Sequence, residues 1–312
     1  MNRAYLDAVR LLLAVAPAIF RQAGFALKGG TAINLFLRDM PRLSVDLDLV
    51  FADHRPDRDD ALRLISSQLE SIRSDLNHSG MTCSSVGRSG GDEVKLFVER
   101  DRTRIKVEVN HVFRGTILPA EPRALTAMAQ DTFFTDIQIP ILHPDELYGS
   151  KLVAAMDRQH PRDIFDVLGL YEGGGLTAGI VECFVCYLAG HNRPVHEVLF
   201  ANEIDITSAY TNEFEGMTRQ SVPLETTTGG PQATVHRTSL QIERHAAGVP
   251  HRARCSETRL VPDVVCASRR DAGGSVENCQ SGTLEPRQPG QIRAAVRGTE
   301  RALRRLIHTR PD

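Results

Sequence analysis

The stretch from Leu27 to Phe51, LKGGTAINLFLRDMPRLSVDLDLVF, restricts the fold of this chain more than any other part of the sequence. It begins within a short apolar segment, FALK, which predicts a strand that ends at two glycines. TAINLFLRDM then predicts a helix with Thr31 near its N-cap and with Pro41 ending it. In LSVDLDLVF apolar residues alternate with aspartates, which is typical of a strand with one buried face. The pattern predicts a strand–helix–strand unit of a mixed α/β domain.

Asp46 and Asp48 are on the polar face of the second predicted strand, two residues apart. Two rises of about 3.3 Å separate them by about 7 Å, and carboxylates at that spacing can hold divalent ions between them. Such a site needs a third carboxylate, and Glu108 is the best candidate. EVKLFVERDRTRIKVEVNHVFRG predicts a β-hairpin whose second strand turns Lys106, Glu108 and Asn110 outward and could pair beside the strand of the aspartates.

Gly29, Gly30 and Thr31 bring backbone N–H groups and a hydroxyl to the start of a helix, where a triphosphate could be held. Both motifs also have an ordinary structural explanation. Gly-Gly-Thr is common in α/β turns, and Asp-Leu-Asp on a strand is often a solvated face. The order of these elements, the two glycines, the two aspartates and then Glu108, is compatible with a metal and phosphate site. The structural explanation stays open.

The region from residue 143 to 226 predicts helices, two of which start at His-Pro pairs. Lys151 and Arg158 are two helical turns apart and share a face, where they could neutralise the phosphates of a nucleotide. Asp163 and Asp166 share a face of the next helix. Ordinary salt bridges between helices would use the same four side chains, so the spacing leaves both interpretations open.

Charge divides the chain into two parts of different composition. Residues 1–226 carry 23 Lys+Arg and 31 Asp+Glu, whereas residues 227–312 carry 14 and 8, so the net charges are −8 and +6. A chain of 312 residues with 41% hydrophobic content can bury a sizeable core. We predict an α/β domain over 1–142, a helical domain over 143–226 and an atypical Arg-rich tail over 227–312.

The tail contains neither lysine nor an aromatic residue, and no helical or strand period persists in it. One explanation is a disordered, Arg-rich segment that contacts nucleic acid. Another is translation of a GC-rich gene in a shifted reading frame, which favours Arg, Ala, Gly, Pro and Ser. Function is therefore inferred from residues 1–226.

The six cysteines form no zinc-binding pattern. Cys183 and Cys186 lie in the apolar segment TAGIVECFVCYLAG and are expected to pack on one buried helix face. LLLAVAPAIF follows Asp7 and precedes Arg21 closely, which favours an amphipathic first helix over a signal sequence. Because no run of 18 apolar residues occurs, we expect a cytoplasmic protein with no membrane partner.

Three segments in order, LKGGTAINLFLRDMPRLSVDLDLVF, IKVEVNHVFRG and ELYGSKLVAAMDRQHPRDIFDV, resemble the AbiEii/AbiGii toxin family of nucleotidyltransferases from abortive-infection toxin–antitoxin systems. The resemblance extends from about Leu27 to Glu225, and after Thr226 the chain lacks the long helix with which relatives continue. It implies an α/β (α+β) fold with a DNA polymerase β-like nucleotidyltransferase core and a mixed sheet, followed by a helical domain and a poorly ordered tail.

The resemblance also implies roles for individual residues. Those expected to bind the nucleotide are Gly29, Gly30, Thr31, Lys151 and Arg158, and those expected to bind metal are Asp46, Asp48 and Glu108. Lys151 and Asp163 are counted with the three carboxylates as catalytic, and Asp163 and Asp166 match an RDxxD motif. Many family members have serine where Thr31 stands. Mg²⁺ is the expected ion, because hard oxygen ligands and phosphates suit it.

The implied activity is Mg²⁺-dependent transfer of a nucleoside monophosphate from an NTP to an RNA acceptor, expected to be the 3′ end of a tRNA, which would block translation. A cognate antitoxin is the expected protein partner. One alternative is transfer to a protein hydroxyl by the same site. Another is an inactive, decayed toxin that only binds partners.

Overall fold

The computed structural model of the protein describes residues 1–22, 24–87, 94–110, 115–199 and 201–224. The predicted Arg-rich tail, 227–312, with Cys255, Cys266 and Cys279, lies outside the described residues. The expectation that the tail is disordered or out of frame therefore stays a prediction.

The described residues form seven strands and nine α-helices. In chain order they are α1 (Arg3–Phe20), β1 (Phe25–Lys28), α2 (Gly29–Ala32), β2 (Asp46–Phe51), α3 (Arg58–His78), β3 (Thr82–Gly87), β4 (Val94–Arg100), β5 (Thr103–Asn110), β6 (Glu121–Ala124), α4 (Ala127–Phe133), β7 (Gln138–Ile141), α5 (Pro144–Arg158), α6 (Pro161–Glu172), α7 (Ala178–Ala189), α8 (Val195–Leu199) and α9 (Thr207–Glu213). A π-helical turn, Ile33–Leu37, continues α2.

The seven strands form one mixed sheet in the order β3-β4-β5-β2-β1-β7-β6. β2 is parallel to β5 and β1 is parallel to β7, whereas the other neighbours are antiparallel. The mixed α/β fold and the predicted hairpin of β4 and β5 are confirmed. So is the pairing of the strand that carries Glu108 beside the strand of the two aspartates.

One part of the core lies on one face of this sheet, where α1 packs on β5 and β7 and α3 packs on β3 and β4, and the core continues among α5, α6 and α7. The alternation predicted for β5 is observed, because Ile105, Val107 and Val109 are buried on this face. Lys106 and Glu108 point to the opposite face and are partly exposed. The amphipathic first helix is confirmed, since α1 buries one side against the sheet.

α5 and α7 pack unusually closely, which explains the buried cysteines. Gly149 on α5 lies so near α7 that a Cβ on it would come within 2.6 Å of the Cβ of Cys183. Cys183 and Cys186 are buried, and burial raises the pKa of the Cys186 thiol to about 12. Both thiols therefore have a packing role, as the sequence predicted.

Two sets of contacts attach the helices to the sheet. Glu146 on α5 is buried and accepts hydrogen bonds from the backbone N–H groups of Ile117 and Leu118, at 3.0 Å each. The segment after α9 reaches the residues before β2, where the N–H of Leu43 donates to the carbonyl of Met217 at 2.9 Å. Among the described residues no helix has the length and apolar character needed to cross a bilayer.

Candidate active site

The double glycine allows α2 to start in contact with β2. Gly29 has a φ of +74°, and a Cβ there would lie 2.6 Å from Asp48 Oδ2. A Cβ on Gly30 would lie 2.5 Å from Arg42 Nη2. Because real Cβ atoms do not approach polar atoms this closely, a side chain at Gly29 would displace Asp48 and one at Gly30 would displace Arg42.

Thr31 lies near the N-cap of α2, as predicted, but the helix begins two residues earlier than the predicted start. Lys28 is the N-cap of α2, and Thr31 is the third helical residue. Its hydroxyl is buried and donates to the backbone carbonyl of Asp46 at 2.5 Å, so it fixes α2 to the first residue of β2 rather than pointing at the helix end. The predicted stop at Pro41 is also displaced, because the π-helical turn ends at Leu37. At the start of α2, the groups that could bind a ligand are therefore backbone N–H groups.

Asp46 and Asp48 lie on the same face of β2, as predicted, and both are half-buried. Asp48 is in register with Glu108 on β5 and with Lys28 on β1. Burial raises the pKa of Asp48 above its ordinary value; Lys28 opposes this rise and Asp46 adds to it. Asp48 is thus a carboxylate whose negative charge is poorly compensated by its own protein surroundings.

Glu108 lies beside Asp48 but is neutralised by two lysines. Lys95 Nζ and Lys106 Nζ each lie 2.9 Å from one of its carboxylate oxygens. Burial alone would raise the pKa of Glu108, but hydrogen bonds from these lysines outweigh it and lower the pKa. Within the described ranges no three His, Cys, Asp or Glu side chains are grouped to hold a metal ion. The three predicted metal ligands are therefore neighbours in the sheet without converging on one point.

Lys151 and Arg158 of α5 both contact Asp163 of α6. Lys151 Nζ donates to Asp163 Oδ1 at 2.8 Å and lies 3.2 Å from Asp166 Oδ2, and only 6% of its side chain is exposed. Arg158 Nε donates to Asp163 Oδ2 at 2.5 Å, while its side chain remains 61% exposed. Burial would raise the pKa of Asp163, but Lys151 and Arg158 together lower it well below its ordinary value. Asp163 thus fixes two cations that can still interact with Asp48.

A buried pair that the sequence reasoning missed supports this arrangement. Arg42 donates from Nε and Nη2 to the two oxygens of Asp166, at 2.8 and 2.5 Å, and both side chains are almost fully buried. Asn34 donates to Asp166 at 2.9 Å and to the carbonyl of Gly30 at 2.9 Å. Asn34 Oδ1 has no hydrogen-bond partner among the described residues. The network connects α6 to the start of α2.

Lys28 is the second residue that sequence reasoning missed. It lies opposite Asp48 in the antiparallel pair of β1 and β2, and its Nζ forms no ion pair with any residue in the described ranges. Burial lowers the pKa of Lys28, although Asp48 and Glu146 favour its charged form and Lys151 opposes it. A half-buried lysine opposite a carboxylate, with a pKa shifted by its surroundings, is more often found at functional sites than in ordinary cores.

Arg162 connects the helical region to Asp46. Its Nη1 lies 3.6 Å from Asp46 Oδ2, and its Nη2 donates to Glu213 Oε2 on α9 at 3.2 Å. His160 caps α6, because its Nδ1 accepts a hydrogen bond from the N–H of Arg162 at 3.2 Å, and its Nε2 lies 3.1 Å from Glu213 Oε2. His143 caps α5 in the same way, and both helices start at the His-Pro pairs that the sequence indicated. The signal for Arg162 was its place directly before Asp163 in the RDxxD motif.

The chain is similar to a known protein family and to a solved structure. A family model described as nucleotidyl transferase AbiEii toxin of type IV toxin–antitoxin systems matches residues 10–240, and so extends past Thr226. Among solved structures, the chain is similar to MenT4, a nucleotidyltransferase toxin from Mycobacterium tuberculosis H37Rv, with a TM-score of 0.56 and 19% identity over 86% of this chain and 95% of that one. No curated protein sequence matches the chain. The structural similarity supports the fold, and the family model covers most of the chain.

Proposed function

Since this chain belongs to the AbiEii family of nucleotidyl transferase toxins of type IV toxin–antitoxin systems, we propose that it transfers a nucleoside monophosphate from an NTP to the 3′ end of a tRNA and so blocks translation. Membership in this family implies an NTP substrate and an antitoxin partner. The observation that carries the proposal is the row of Lys28, Asp48 and Glu108 across three neighbouring strands, directly beside the glycine start of α2.

Asp46 and Asp48 have the donor chemistry for Mg²⁺. Their carboxylates are hard oxygen ligands on one strand face, and the repulsion of Asp46 contributes to the raised pKa of Asp48, which a cation would relieve. Glu108 is the third proposed ligand, and it would exchange Lys95 and Lys106 for the ion. A bound Mg²⁺ would neutralise negative charge on the phosphates of the NTP.

The triphosphate would occupy the side of Asp48 that faces α2. There the backbone N–H groups of Gly29, Gly30 and Thr31 start a helix, and no side chain caps them. Lys151 and Arg158 interact electrostatically with Asp48 and are held in place by Asp163, so they require little reorganisation when phosphate binds. In this arrangement Asp163 acts as a positioning residue.

The transfer itself would join the 3′ hydroxyl oxygen of the RNA to the α-phosphorus of the NTP. The bond from that phosphorus to the leaving pyrophosphate breaks, and the hydroxyl proton passes to water. The chain's own residues would hold the phosphates and orient the two reacting groups, which is the main source of catalysis in phosphoryl transfer.

The test incubates the protein with each labelled NTP, Mg²⁺ and total tRNA. We expect label in RNA, and we expect Asp46→Asn or Asp48→Asn to lower the rate by at least about 100-fold. Arg123→Gln, on β6 at the far edge of the sheet, is the matched control and should retain the rate. If none of the four NTPs labels RNA above the Asp46→Asn/Asp48→Asn double variant, the proposal is wrong.

The same experiment distinguishes the alternatives. Label that moves with protein and survives RNase would identify a protein hydroxyl as the acceptor. No label in either fraction, with retained binding of a partner, would identify an inactive remnant. Omitting Mg²⁺ tests the proposed ion directly, since the wild-type rate should then fall to that of the double variant.

A further inference from the structure

One surface borders the candidate active site and shares Glu108, Lys95 and Lys106 with it. It is the outward face of β3, β4 and β5, here called the hairpin face. Strand register places its side chains in three rows, which are Val86, Lys95 and Glu108; Ser84, Phe97 and Lys106; and Thr82, Glu99 and Arg104. All nine are exposed or half-buried, whereas the alternate residues of β4 and β5 are buried under α1 and α3.

The hairpin face begins at the carboxylates. Asp48 is in register with Glu108, and Asp46 is in register with Lys106. The start of α2 and Lys28 lie on the other side of β2, where the triphosphate is placed. In phosphoryl transfer the attacking and leaving oxygens are roughly in line, so the acceptor must approach from the side opposite the pyrophosphate. That direction leads over β5 and β4.

We infer that the hairpin face binds the unpaired 3′ end of the RNA acceptor and guides it to Asp46 and Asp48. The inference rests on the proposed function, because it assigns the binding surface for the acceptor of that same reaction. It commits to single-stranded RNA as the ligand.

The chemistry of the face matches single-stranded RNA. Arg104 lies over the ring of Phe97 at 4.0 Å from its centroid, and Phe97 remains half-buried. An aromatic ring with an arginine is the usual platform on which an unpaired base stacks. Lys106 lies beside that ring in the same row and Lys95 lies in the next row, and about a third of each lysine side chain is exposed, 33% and 35%. Cations beside a stacking ring are suited to a phosphate backbone.

The face continues away from the carboxylates to the turn of the hairpin. From Glu108 to Arg104 is four residues of strand, or about 13 Å. There a shallow hollow of about 430 Å³ is lined by three arginines, Arg100, Arg102 and Arg104, and by two carboxylates, Glu99 and Asp101, so cations are in excess by one. Arg104 is 55% exposed and Glu99 lies 3.2 Å from it, so this pair is solvent-screened and its arginine is available to a phosphate. Cations therefore extend along the path for more than one nucleotide.

A protein acceptor fits this face less well. A peptide would supply neither a run of phosphates for Lys95, Lys106 and Arg104 nor a series of flat bases for Phe97. Val86 is the one large apolar side chain on the face that the described residues leave more than half exposed, at 55%. Phe97 is the one aromatic side chain among the nine, whereas the core of a specific protein interface is enriched in aromatic residues.

The test uses two RNA hairpins that differ only in a four-nucleotide single-stranded 3′ overhang, and it measures binding to the full-length protein by fluorescence anisotropy. We expect the overhang to be required for tight binding. Arg104→Gln and Phe97→Leu should each weaken binding of the overhang RNA about tenfold, as expected for loss of one stacked base. Neither should change binding of the blunt RNA.

The kinetic readout uses the same variants in the transfer assay. KM for the RNA should rise about tenfold while KM for the NTP stays unchanged. Arg104→Gln changes an exposed side chain and so remains informative if Phe97→Leu lowers stability. Arg123→Gln on β6 is the matched loss of a cation elsewhere on the sheet and should match wild type.

Wild-type binding of the overhang RNA by both variants would overturn this inference, whatever the transfer assay gives. Absence of labelled RNA from the wild-type protein would instead contradict the proposed function. Label on protein, together with unchanged overhang binding in the variants, would identify a protein acceptor and overturn both.

Discussion

Asp48 and Glu108 lie opposite each other on the parallel strands β2 and β5, yet their charges are compensated very differently. The pKa of Asp48 is raised, chiefly by burial, with Lys28 opposing and Asp46 adding to the rise. Burial acts on Glu108 in the same direction, but Lys95 and Lys106 reverse the effect and lower its pKa. One carboxylate is therefore poised to gain a cation, and the other must first release one.

This difference predicts the effect of removing one of the two lysines. Lys95→Met should lower the Mg²⁺ concentration needed for half-maximal binding of a non-hydrolysable NTP analogue by about threefold, since an ion pair exposed to this extent contributes about 0.2 to 1 kcal/mol. Binding is measured without RNA, so a role of Lys95 in acceptor binding does not enter. Arg55→Met, which breaks the exposed pair with Asp53, is the control. An unchanged or higher Mg²⁺ requirement would show that Glu108 is not a metal ligand.

The buried pair of Arg42 and Asp166 predicts a large loss of stability. Removing one partner leaves an uncompensated buried charge, so Arg42→Met and Asp166→Asn should each lower the free energy of unfolding by about 3 to 5 kcal/mol. The double variant should lose less free energy of unfolding than the two single variants lose together. Denaturant unfolding gives the free energies of unfolding of the wild type, the two single variants and the double variant. The control, Arg55→Met, should change the free energy of unfolding by less than about 1 kcal/mol. Additive losses would mean that the two side chains do not stabilise each other.

Local patterns of the sequence were sufficient for much of this site. The alternation of apolar and polar residues in β2 and β5 placed Asp46, Asp48 and Glu108 on one face, because successive side chains in a strand point to opposite faces of the sheet. Arg42 and Asp166 are 124 residues apart, and no periodicity connects them. Lys28 could not be assigned, because its position opposite Asp48 depends on the register of β1 against β2. The start of α2 was predicted two residues too late, because the helix begins at a glycine with positive φ.

His160 predicts a pH dependence of stability. Burial lowers its pKa, Arg162 lowers it further, and Glu213 and Asp163 oppose the shift. The folded state therefore binds the proton less readily than the unfolded state, whose histidine has an ordinary pKa of about 6.5. Stability should be fully present above that value and should decrease as the pH falls below it.

His160→Asn keeps a side-chain acceptor at the N-cap of α6 but removes the titrating group. Unfolding free energies of the variant and the wild type should be similar at pH 8, and the variant should lose less between pH 7 and pH 5. Denaturant unfolding at each pH gives the comparison. Parallel pH profiles would assign the acid sensitivity to other groups.

The position of Lys28 predicts that this residue contributes to binding of the NTP and not to binding of the RNA. Lys28 lies opposite Asp48 and directly before the start of α2, and its Nζ has no ion-pair partner in the described ranges, so a bound triphosphate would be its natural counter-ion. Lys28→Met should raise KM for the NTP about tenfold with KM for RNA unchanged, whereas Lys95→Met should leave KM for the NTP within about twofold at saturating Mg²⁺.

Since burial lowers the pKa of Lys28, the wild-type enzyme should lose NTP affinity at a lower pH in the alkaline range than Lys28→Arg, which keeps its charge. Equal alkaline limits for these two proteins, or a Lys28→Met variant with wild-type KM for the NTP, would exclude contact between Lys28 and the phosphates.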